Sequence, residues 1–370
     1  MSSLEAGEIV ASAVKEHYPK AKVTVKSFAD GGEGTVGAIL DNYHHVKHTV
    51  ETIGADRKKI FANWYFLKGE NTALFEMSSV VGLALLNKKD LNPEKTTTFG
   101  IASVILDMLD KGVKRVWFAA GGTSTLDGGL GFLEGMGVGI EKSHFPKNLL
   151  EVQGDEKFDF FETGRKNENL ETHPEKGKCL FPGVIFDIIA DVHAPLLGKE
   201  GAVFAFGKQK GATPKNTALL EEGMANFSHA IKAKTQNPSF LKSRGLGAAG
   251  GIALGLSLLF EVNIKNGADF VMARTGIKEK MSNFDMLITG EGQFNSQTKQ
   301  GKGPWALASF AKQSDIPTLI ISGLEVQEKD KVKDFYFLNT SKTLPKNKDE
   351  AQKNLLRATK KWLKNNEVYK

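Results

Sequence analysis

The chain of 370 residues has 41% hydrophobic and 25% charged residues, a composition that argues against disorder and allows two full domains. Its net charge of +6 comes from lysines spread along the chain without interleaved aromatic residues, so a solvated surface is favoured over nucleic-acid binding. No uninterrupted apolar run approaches the ~18 residues of a membrane span, and the single cysteine, Cys179, excludes an internal disulfide.

Residues 1–20 predict an amphipathic helix, with acidic residues early and lysines late. This pattern differs from a signal peptide, so a cytoplasmic location is expected. An α/β domain commonly opens on a strand, and we expect that strand to be missing here. Residues 21–28 then alternate as a strand does.

The loop at residues 29–35 combines Asp30 and Glu33 with three glycines, and residues 36–40 resemble a helix. Two acids in a tight glycine loop could hold a metal or a polar ligand. Aspartate and glycine are also common in surface turns, so both interpretations remain open.

Short alternating segments between residues 48 and 77 predict an antiparallel pair of strands, with Gly69 and Asn71 at a turn. Glu76 interrupts an apolar run near the end of this region. A helix follows at residues 96–109, because its apolar residues recur at helical spacing.

A strand at residues 116–120 leads into the loop 121–129, which has four glycines, three hydroxyl groups and Asp127. Residues 130–136 again resemble a helix. Backbone donors and hydroxyls beside a helix N-terminus suit a phosphate group, so we favour a functional loop over a plain turn.

Residues 142–178 are polar and are expected to lie on the surface. The apolar strand at 183–190 ends at Asp191, followed by His193. A lone histidine in such a loop is more often a plain loop residue than a ligand. Lys208 and Lys210 then lie between glycines, where they could meet phosphate or remain solvated. An amphipathic helix follows, with its apolar face formed by Leu220, Met224, Phe227 and Ile231.

The segment 245–251 matches the G-x-G-x-x-G pattern of dinucleotide-binding loops. That pattern must follow a strand, and residues 236–244 are polar and contain a proline, so we reject it. Small residues that permit close packing or a ligand's approach explain the segment better. The sequence has no P-loop motif and no cysteine or histidine cluster with zinc spacing.

A buried strand is predicted from Asp285, ending in Gly290, Glu291 and Gly292. A polar loop and a helix at 305–312 follow, then strands at 317–322 and 335–339 and a final helix. Alternating strands and helices predict a parallel sheet, and ligands in such sheets lie where strands end.

Taken together, these loops resemble the glycerate kinase family, specifically the bacterial type that makes 2-phosphoglycerate. The resemblance covers nearly the whole chain, in family order. Its blocks are 29–35, 96–100, 121–129, 191–197, 209–214, 245–251, 289–292 and 296–298.

The resemblance implies an α/β fold of two lobes with the active site in the cleft between them. One lobe would be discontinuous and Rossmann-like, with a parallel sheet formed by residues 1–45 and 284–370. The second, mixed α/β lobe would be the insertion at 46–283.

The chain departs from the family pattern at several loop positions. Gln293 and Asn295 stand where the family has an arginine and an aspartate, so one positive and one negative charge are absent from that loop. Leu126 stands where asparagine is usual, and His193 and Ala194 replace a polar residue and an asparagine. We expect these changes to fall on ligand-facing strand ends.

The resemblance implies a set of site residues, whose individual roles stay open between substrate hydroxyls, metal and proton acceptance. The predicted catalytic acids are Asp30, Asp127, Asp191 and Glu291. The predicted substrate- or phosphate-binding residues are Gly31, Gly32, Glu33, Gly122, Thr123, Ser124, Lys210, Gly290, Gly292, Asn295, Ser296, Gln297, Thr298 and Lys302. No residue is assigned to a metal.

The implied activity is ATP-dependent phosphorylation of D-glycerate to phosphoglycerate, with ATP and Mg²⁺ and with 2-phosphoglycerate as the expected product. Two alternatives remain open: an impaired family member that binds a hydroxy acid or nucleotide as a sensor or partner protein, and a kinase for another sugar acid. The expected partners are a small hydroxy acid and a nucleotide, with no nucleic acid and no membrane; a homodimer is compatible with the sequence.

Overall fold

The computed structural model describes residues 1–140, 146–152, 158–160, 181–190, 194–232, 240–295, 298–300 and 303–366, with backbone alone at 158–160. The chain divides into two compact units. The three-stranded unit comprises Met1–Asp30, Gly37–Asn42 and Ala268–Lys370, and the six-stranded unit comprises Gly31–Val36 and Tyr43–Gly267. None of the helices in the described ranges has the length and hydrophobicity of a membrane span.

The strands are β1 (His45–Ile53), β2 (Lys59–Leu67), β3 (Thr72–Glu76), β4 (Arg115–Ala119), β5 (Val138–Ile140), β6 (Phe158–Phe160), β7 (Ile185–Ala190), β8 (Glu261–Asn266), β9 (Leu287–Glu291), β10 (Thr318–Ser322) and β11 (Tyr336–Asn339). The α-helices are α1 (Ser3–His17), α2 (Thr35–Leu40), α3 (Ser78–Val81), α4 (Phe99–Asp110), α5 (Leu130–Gly135), α6 (Ala202–Phe206), α7 (Pro214–Lys232), α8 (Ile252–Leu259), α9 (Gly267–Arg274), α10 (Ile277–Lys280), α11 (Gly303–Gln313) and α12 (Lys348–Asn365).

The six-stranded unit is built on a mixed sheet in the order β1-β2-β3-β4-β7-β8. The β1, β2 and β3 strands are antiparallel, whereas β3, β4, β7 and β8 run parallel. The short strands β5 and β6 form a separate antiparallel pair. The parallel strands end at one edge of the sheet, and the loops that the sequence singled out at 121–129 and 191–195 follow β4 and β7.

One large hydrophobic core stabilises this unit, with aromatic side chains of the central strands at its centre. The helix α4 contributes Ile101, Val104 and Ile105, each with no exposed surface. The predicted apolar face of α7 is confirmed, because Leu220, Met224, Phe227 and Ile231 are also fully buried. Helical spacing therefore identified the buried faces correctly.

The three-stranded unit contains a parallel sheet in the order β11-β10-β9. Successive side chains of β10 point to opposite faces, as a strand requires. Leu319 and Ile321 pack with residues of α1 and α12, and Ile320 packs with Phe294 and with Ala308 of α11. Helices on both faces of a parallel sheet give the Rossmann-like arrangement that was expected.

The α/β fold class, with one discontinuous parallel-sheet unit and one mixed unit, is thus confirmed. The boundaries predicted after residues 45 and 283 stay a prediction. Most of the predicted polar segment at 142–178 lies outside the described residues.

Three expectations about strands need correction. Residues 21–28 form no strand, although their side chains alternate between partly buried and exposed, because the segment packs on α1, where Val25 would collide with a Cβ atom at Gly7. The strand β8 was missed, although Val262 and Ile264 alternate with polar residues, because two apolar residues are a weak strand signal. The strand β9 is half-buried rather than buried, and within the described residues it pairs with β10 alone.

Candidate active site

The loop between β4 and α5 is organised around a buried carboxylate. Asp127, 4% exposed, accepts hydrogen bonds from the Thr98 backbone N–H and Thr98 Oγ1, both at 2.8 Å to Oδ2. The N–H groups of Gly131 and Gly129 complete the set, at 3.2 Å to Oδ2 and 3.1 Å to Oδ1. The carboxylate therefore joins the start of α4 to the start of α5 and fixes the loop between them.

Burial raises the pKa of Asp127 above its usual value, while the four hydrogen bonds oppose that shift. Both oxygen atoms already accept bonds from the protein. This position supports the loop, and the predicted catalytic role of Asp127 remains untested.

Lys210 lies beneath the same loop and is 2% exposed. Its Nζ donates to the Thr125 carbonyl oxygen at 2.7 Å and to Thr123 Oγ1 at 3.1 Å. Burial lowers the pKa of Lys210 to about 7, and the charge of Asp127 opposes that shift. The lysine thus supports the loop from inside the protein, and its contact with phosphate stays a prediction.

The predicted phosphate-binding hydroxyls of this loop are turned into the protein. Thr123 Oγ1 accepts the bond from Lys210, and Ser124 Oγ donates to the Val81 carbonyl oxygen at 2.9 Å. Gly121 and Gly122 are the more exposed part of the loop. Backbone groups, rather than these two hydroxyls, are what the loop can offer to a ligand.

The expectation that Leu126 faces a ligand is corrected by its environment. Its side chain is fully buried and belongs to the hydrophobic core of the six-stranded unit. Ala194 is also largely buried. A leucine at position 126 therefore changes the packing of the core rather than a ligand-facing surface.

The residues 31–35 lie on the ends of β4 and β7. Gly31 has a φ of 100°, and a Cβ atom there would lie 2.7 Å from the Ile189 carbonyl oxygen. The N–H of Gly121 donates to the Gly31 carbonyl oxygen at 2.9 Å. Only glycine permits this approach of one backbone to another.

Glu76, at the end of β3, holds this loop and was not among the predicted site residues. Its Oε1 accepts from the Gly34 N–H at 2.9 Å and from Ser78 Oγ at 2.9 Å, and its Oε2 accepts from the Val36 N–H at 3.3 Å. The signal was present in the sequence, as a glutamate that interrupts an apolar strand. Glu33, in contrast, is exposed, and its binding of a ligand stays a prediction.

In the three-stranded unit, Asp30 caps the start of α11. Its Oδ2 accepts from the Gly303 N–H at 3.0 Å, which satisfies one of the free donors at a helix N-terminus. Its Oδ1 takes no part in this cap. Asp30 is therefore a structural cap, and its catalytic role stays a prediction.

The predicted Gly290–Glu291–Gly292 turn is partly strand, because Gly290 and Glu291 end β9 and pair with Ile321 and Ser322 of β10. The N–H groups of Gly323 and Leu324 donate to the carbonyl oxygens of Glu291 and Gly292 at 3.0 and 3.1 Å. A Cβ atom at Gly290 would lie 2.3 Å from the Ile321 carbonyl oxygen, so this glycine is a packing requirement.

The turn after it is closed by Thr298, which is fully buried. Thr298 Oγ1 accepts from the Asn295 N–H at 3.1 Å, and its own N–H donates to the Asn295 carbonyl oxygen at 3.0 Å. The buried Phe294 donates its N–H to Ser322 Oγ at 3.1 Å. Gln293, between these anchors and Gly292, is exposed.

Several predicted site residues lie outside the described residues, so the structure does not locate them. They are Asp191, Ser296, Gln297 and Lys302. His193, which was not a predicted site residue, also lies outside the described residues. The remaining predicted residues fall on both units. Asp30, Gly290, Glu291, Gly292, Asn295 and Thr298 belong to the three-stranded unit, and Gly31, Gly32, Glu33, Gly122, Thr123, Ser124, Asp127 and Lys210 belong to the six-stranded unit.

The glycines at 245–251 serve packing, in agreement with the rejection of a dinucleotide site. A Cβ atom at Gly247 would lie 2.0 Å from the Pro195 carbonyl oxygen, and one at Gly250 would lie 2.2 Å from the Thr125 carbonyl oxygen. Gly250 thereby fixes the loop that Lys210 supports from another side. Among the described residues, no cluster of three or more histidine, cysteine, aspartate or glutamate side chains could hold a metal.

The fold is α/β, and its strand-end loops carry glycine-rich backbone and carboxylates at the position where ligands of open α/β sheets bind. The chain belongs to the glycerate kinase family, whose sequence profile matches residues 1–367. Members of this family are ATP-dependent kinases that phosphorylate an alcohol group, and the chain is an enzyme of this kind.

Known proteins agree with this assignment. A glycerate kinase of Bacillus subtilis is 32% identical over 326 residues, covering 87% of this chain and 81% of the relative. The glycerate 2-kinase of Escherichia coli is 28% identical over 323 residues, covering 87% of this chain and 82% of the relative. A crystal structure described as a glycerate kinase 2 of Salmonella typhimurium LT2 has a TM-score of 0.74 at 26% identity, with coverage of 99% and 93% of the two chains.

Proposed function

We propose that the chain transfers the γ-phosphoryl group of ATP to the 2-hydroxyl of D-glycerate, giving 2-phosphoglycerate and ADP. The observation that carries this proposal is the family match over residues 1–367, together with a relative described as a glycerate 2-kinase. Phosphoryl transfer needs positioning and neutralisation of charge more than covalent chemistry. A rigid set of strand-end loops suits that requirement.

The contacts of the carboxylates divide them into two groups. Asp127 and Glu76 use their oxygen atoms to hold loops in place, so they act as positioning residues. Asp30, Glu33 and Glu291 are not fully buried, so they are the acids proposed to meet the ligand. One of them accepts the proton of the attacking hydroxyl group.

The donor set is compatible with Mg²⁺. This ion commonly binds through one or two carboxylates, completing its shell with phosphate oxygens and water, so it does not require a cluster of three acids. Asp30 Oδ1 is the oxygen donor proposed to hold it. Bound Mg²⁺ would neutralise charge on the phosphate groups.

A coupled assay with ATP, Mg²⁺ and D-glycerate tests this proposal, and phosphorus NMR of the product separates 2-phosphoglycerate from 3-phosphoglycerate. We expect turnover with D-glycerate and the 2-phosphorylated product. Turnover of a different sugar acid alone, in a substrate panel, would overturn the choice of substrate. Calorimetric binding of glycerate or nucleotide without turnover would instead support a binding protein.

The place of action is proposed to be the cytoplasm, where ATP is available. The single cysteine among 370 residues fits a reducing compartment. Imaging of a tagged full-length chain in its own cell checks this, and an extracellular signal would contradict it.

A further inference from the structure

The strand β1 is an edge strand nine residues long. Among the described residues it pairs with β2 alone, and it is the first strand in the order of the six-stranded sheet. His45, Val46, Lys47, Thr49 and Glu51 are exposed. An unprotected edge of this length offers a row of backbone donors and acceptors to another strand.

Hydrogen bonds at the two ends of the hairpin show which residues of β1 face outwards. The Lys68 N–H donates to the His44 carbonyl oxygen at 3.1 Å, and the Gly54 N–H donates to the Lys58 carbonyl oxygen at 2.8 Å. Hydrogen-bonded and non-hydrogen-bonded positions alternate along an antiparallel pair. The even-numbered residues of β1 therefore bond to β2, and the odd-numbered residues direct their N–H and C=O groups to the free edge.

The odd-numbered side chains also share the exposed face of the hairpin. On the opposite face α4 packs against β1, and Thr52 Oγ1 donates to the Gly100 carbonyl oxygen at 2.7 Å. The register places Phe61 of β2 beside Glu51, and Phe61 is 71% exposed. The free edge is thus bordered by a large apolar side chain in solvent.

The geometry points to a second copy of this chain as the partner of β1, paired antiparallel about a two-fold axis through Thr49. In this register Thr49 lies opposite Thr49 of the second copy. Lys47 of each copy lies opposite Glu51 of the other, so the interface contains two such pairs. The pairs consist of odd-numbered residues, so their outward backbone groups can bond to each other. The result is one continuous sheet of twelve strands, formed from two six-stranded sheets.

Charge favours this register. An axis through His48 would place Lys47 opposite Thr49, and an axis through Val50 would place Glu51 opposite Thr49, so neither forms the Lys47–Glu51 pair. An axis through Lys47 would place lysine opposite lysine, and an axis through Glu51 would place glutamate opposite glutamate, which is destabilising across strands. The existing Lys59–Glu51 ion pair, at 3.0 Å, is highly exposed and does not prevent the new contact.

Sedimentation equilibrium of the full chain tests this inference, which does not depend on the kinase activity. We expect a wild-type dimer, and dissociation constants raised by about tenfold or more in Lys47→Glu and in Glu51→Lys, because each change reverses two cross-strand pairs. The double variant restores opposite charges in the same register, so it should return close to the wild-type value. Lys68→Glu, in the same hairpin but off the edge strand, is the matched control and should leave the dimer unchanged.

Thr49→Pro supplies an independent measurement. It removes an N–H that faces the free edge, and edge strands tolerate proline at such positions. We expect a monomer whose thermal unfolding midpoint stays close to that of the wild type. A monomeric wild type, a dimer unaffected by Thr49→Pro, or a double variant as weak as the single ones would each overturn the inference.

Discussion

The Gly34 backbone N–H donates to Glu76 Oε1 at 2.9 Å, across 42 positions of sequence. This bond joins the glycine-rich loop at residues 31–35 to the end of β3. Val36 and Ser78 donate to the same carboxylate. One strand-end glutamate therefore sets the position of a loop that approaches the ends of two neighbouring strands.

Replacing Glu76 with alanine should reduce activity more than stability. We expect kcat/KM to fall by about tenfold or more, since misplacing a loop by a fraction of an ångström is costly in catalysis, and the unfolding free energy to fall by about 1–2 kcal/mol. Steady-state kinetics and urea unfolding measure the two effects. Glu261→Ala, at an exposed strand end of the same sheet, is the matched control; equal effects in both variants would contradict the role of Glu76.

Replacing Asp127 with alanine should destabilise the six-stranded unit by about 3 kcal/mol, because four donors lose their acceptor in a buried site. Asp127→Asn should cost less, since one amide oxygen still accepts, but its NH₂ group opposes the donors. Urea unfolding checks the order of the two variants. An asparagine variant as stable as the wild type would show that the carboxylate is not needed for the loop.

Lys210 should make stability depend on pH between about 7 and 10.5. Its pKa is about 7 in the folded protein and is near 10.5 when the chain unfolds, so the unfolded state binds more protons within this window. Burial of the charged lysine opposes folding. This penalty is absent above pH 10.5, where the lysine is neutral in both states, and it grows as the pH falls towards 7. The difference in unfolding free energy between wild type and Lys210→Met should rise with pH, by up to about 1.4 kcal/mol per unit.

Denaturant unfolding at pH 7, 8 and 9 measures this slope. The exposed Lys208, in the same short turn, provides the control variant Lys208→Met, which should follow the wild type. A difference between wild type and Lys210→Met that is constant across these pH values would contradict the shifted pKa.

Two variants of Asp30 should separate its two functions. Asp30→Ala removes the cap of α11 and should cost about 1 kcal/mol of unfolding free energy. Asp30→Asn keeps an acceptor for the Gly303 N–H, so stability should stay within about 0.5 kcal/mol of the wild type. If the charge meets Mg²⁺ or the substrate, kcat should still fall by about a hundredfold in Asp30→Asn. Full activity of Asp30→Asn would restrict this residue to capping.

The paired change of Gln293→Arg and Asn295→Asp should raise kcat/KM by about tenfold, because catalytic electrostatic contacts of this kind are worth that much or more. Gln293 is exposed, and Asn295 uses its backbone N–H to close the turn, so both side chains can change without loss of that bond. Kinetics of the single and double variants measure the effect. A lower kcat/KM in the double variant would show that this enzyme uses the amides themselves.

The sequence predicted the elements whose side-chain spacing is governed by burial. The apolar side chains of α7 recur at the helical period, and β10 is a short run of consecutive apolar residues that is buried on both faces of its sheet. The segment 21–28 misled for a related reason. Its alternation arises because one side of the segment packs against α1, and any extended segment that packs on one side shows the same alternation. A strand also requires a neighbouring strand to pair with, which side-chain spacing does not reveal.

The candidate loops were also found, because glycines, acids and hydroxyls cluster at strand ends. Their internal contacts could not be read from the sequence. Whether Ser124 faces a ligand or the Val81 carbonyl oxygen depends on a bond between residues 43 positions apart. Glu76 was visible as an anomaly within an apolar strand, but its partners lie 40 and 42 positions earlier in the chain.

The burial of Lys210 has a consequence for chemical labelling. Amine-reactive acylating reagents attack neutral amines, and a lysine with a pKa of about 7 is largely neutral in mildly alkaline buffer. Because the folded protein encloses that amine, Lys210 should be acylated only when the unit opens locally. The rate of Lys210 acylation, followed by mass spectrometry, would therefore measure how often the loop above it opens. The exposed Lys208 should be acylated without such opening and provides the reference rate.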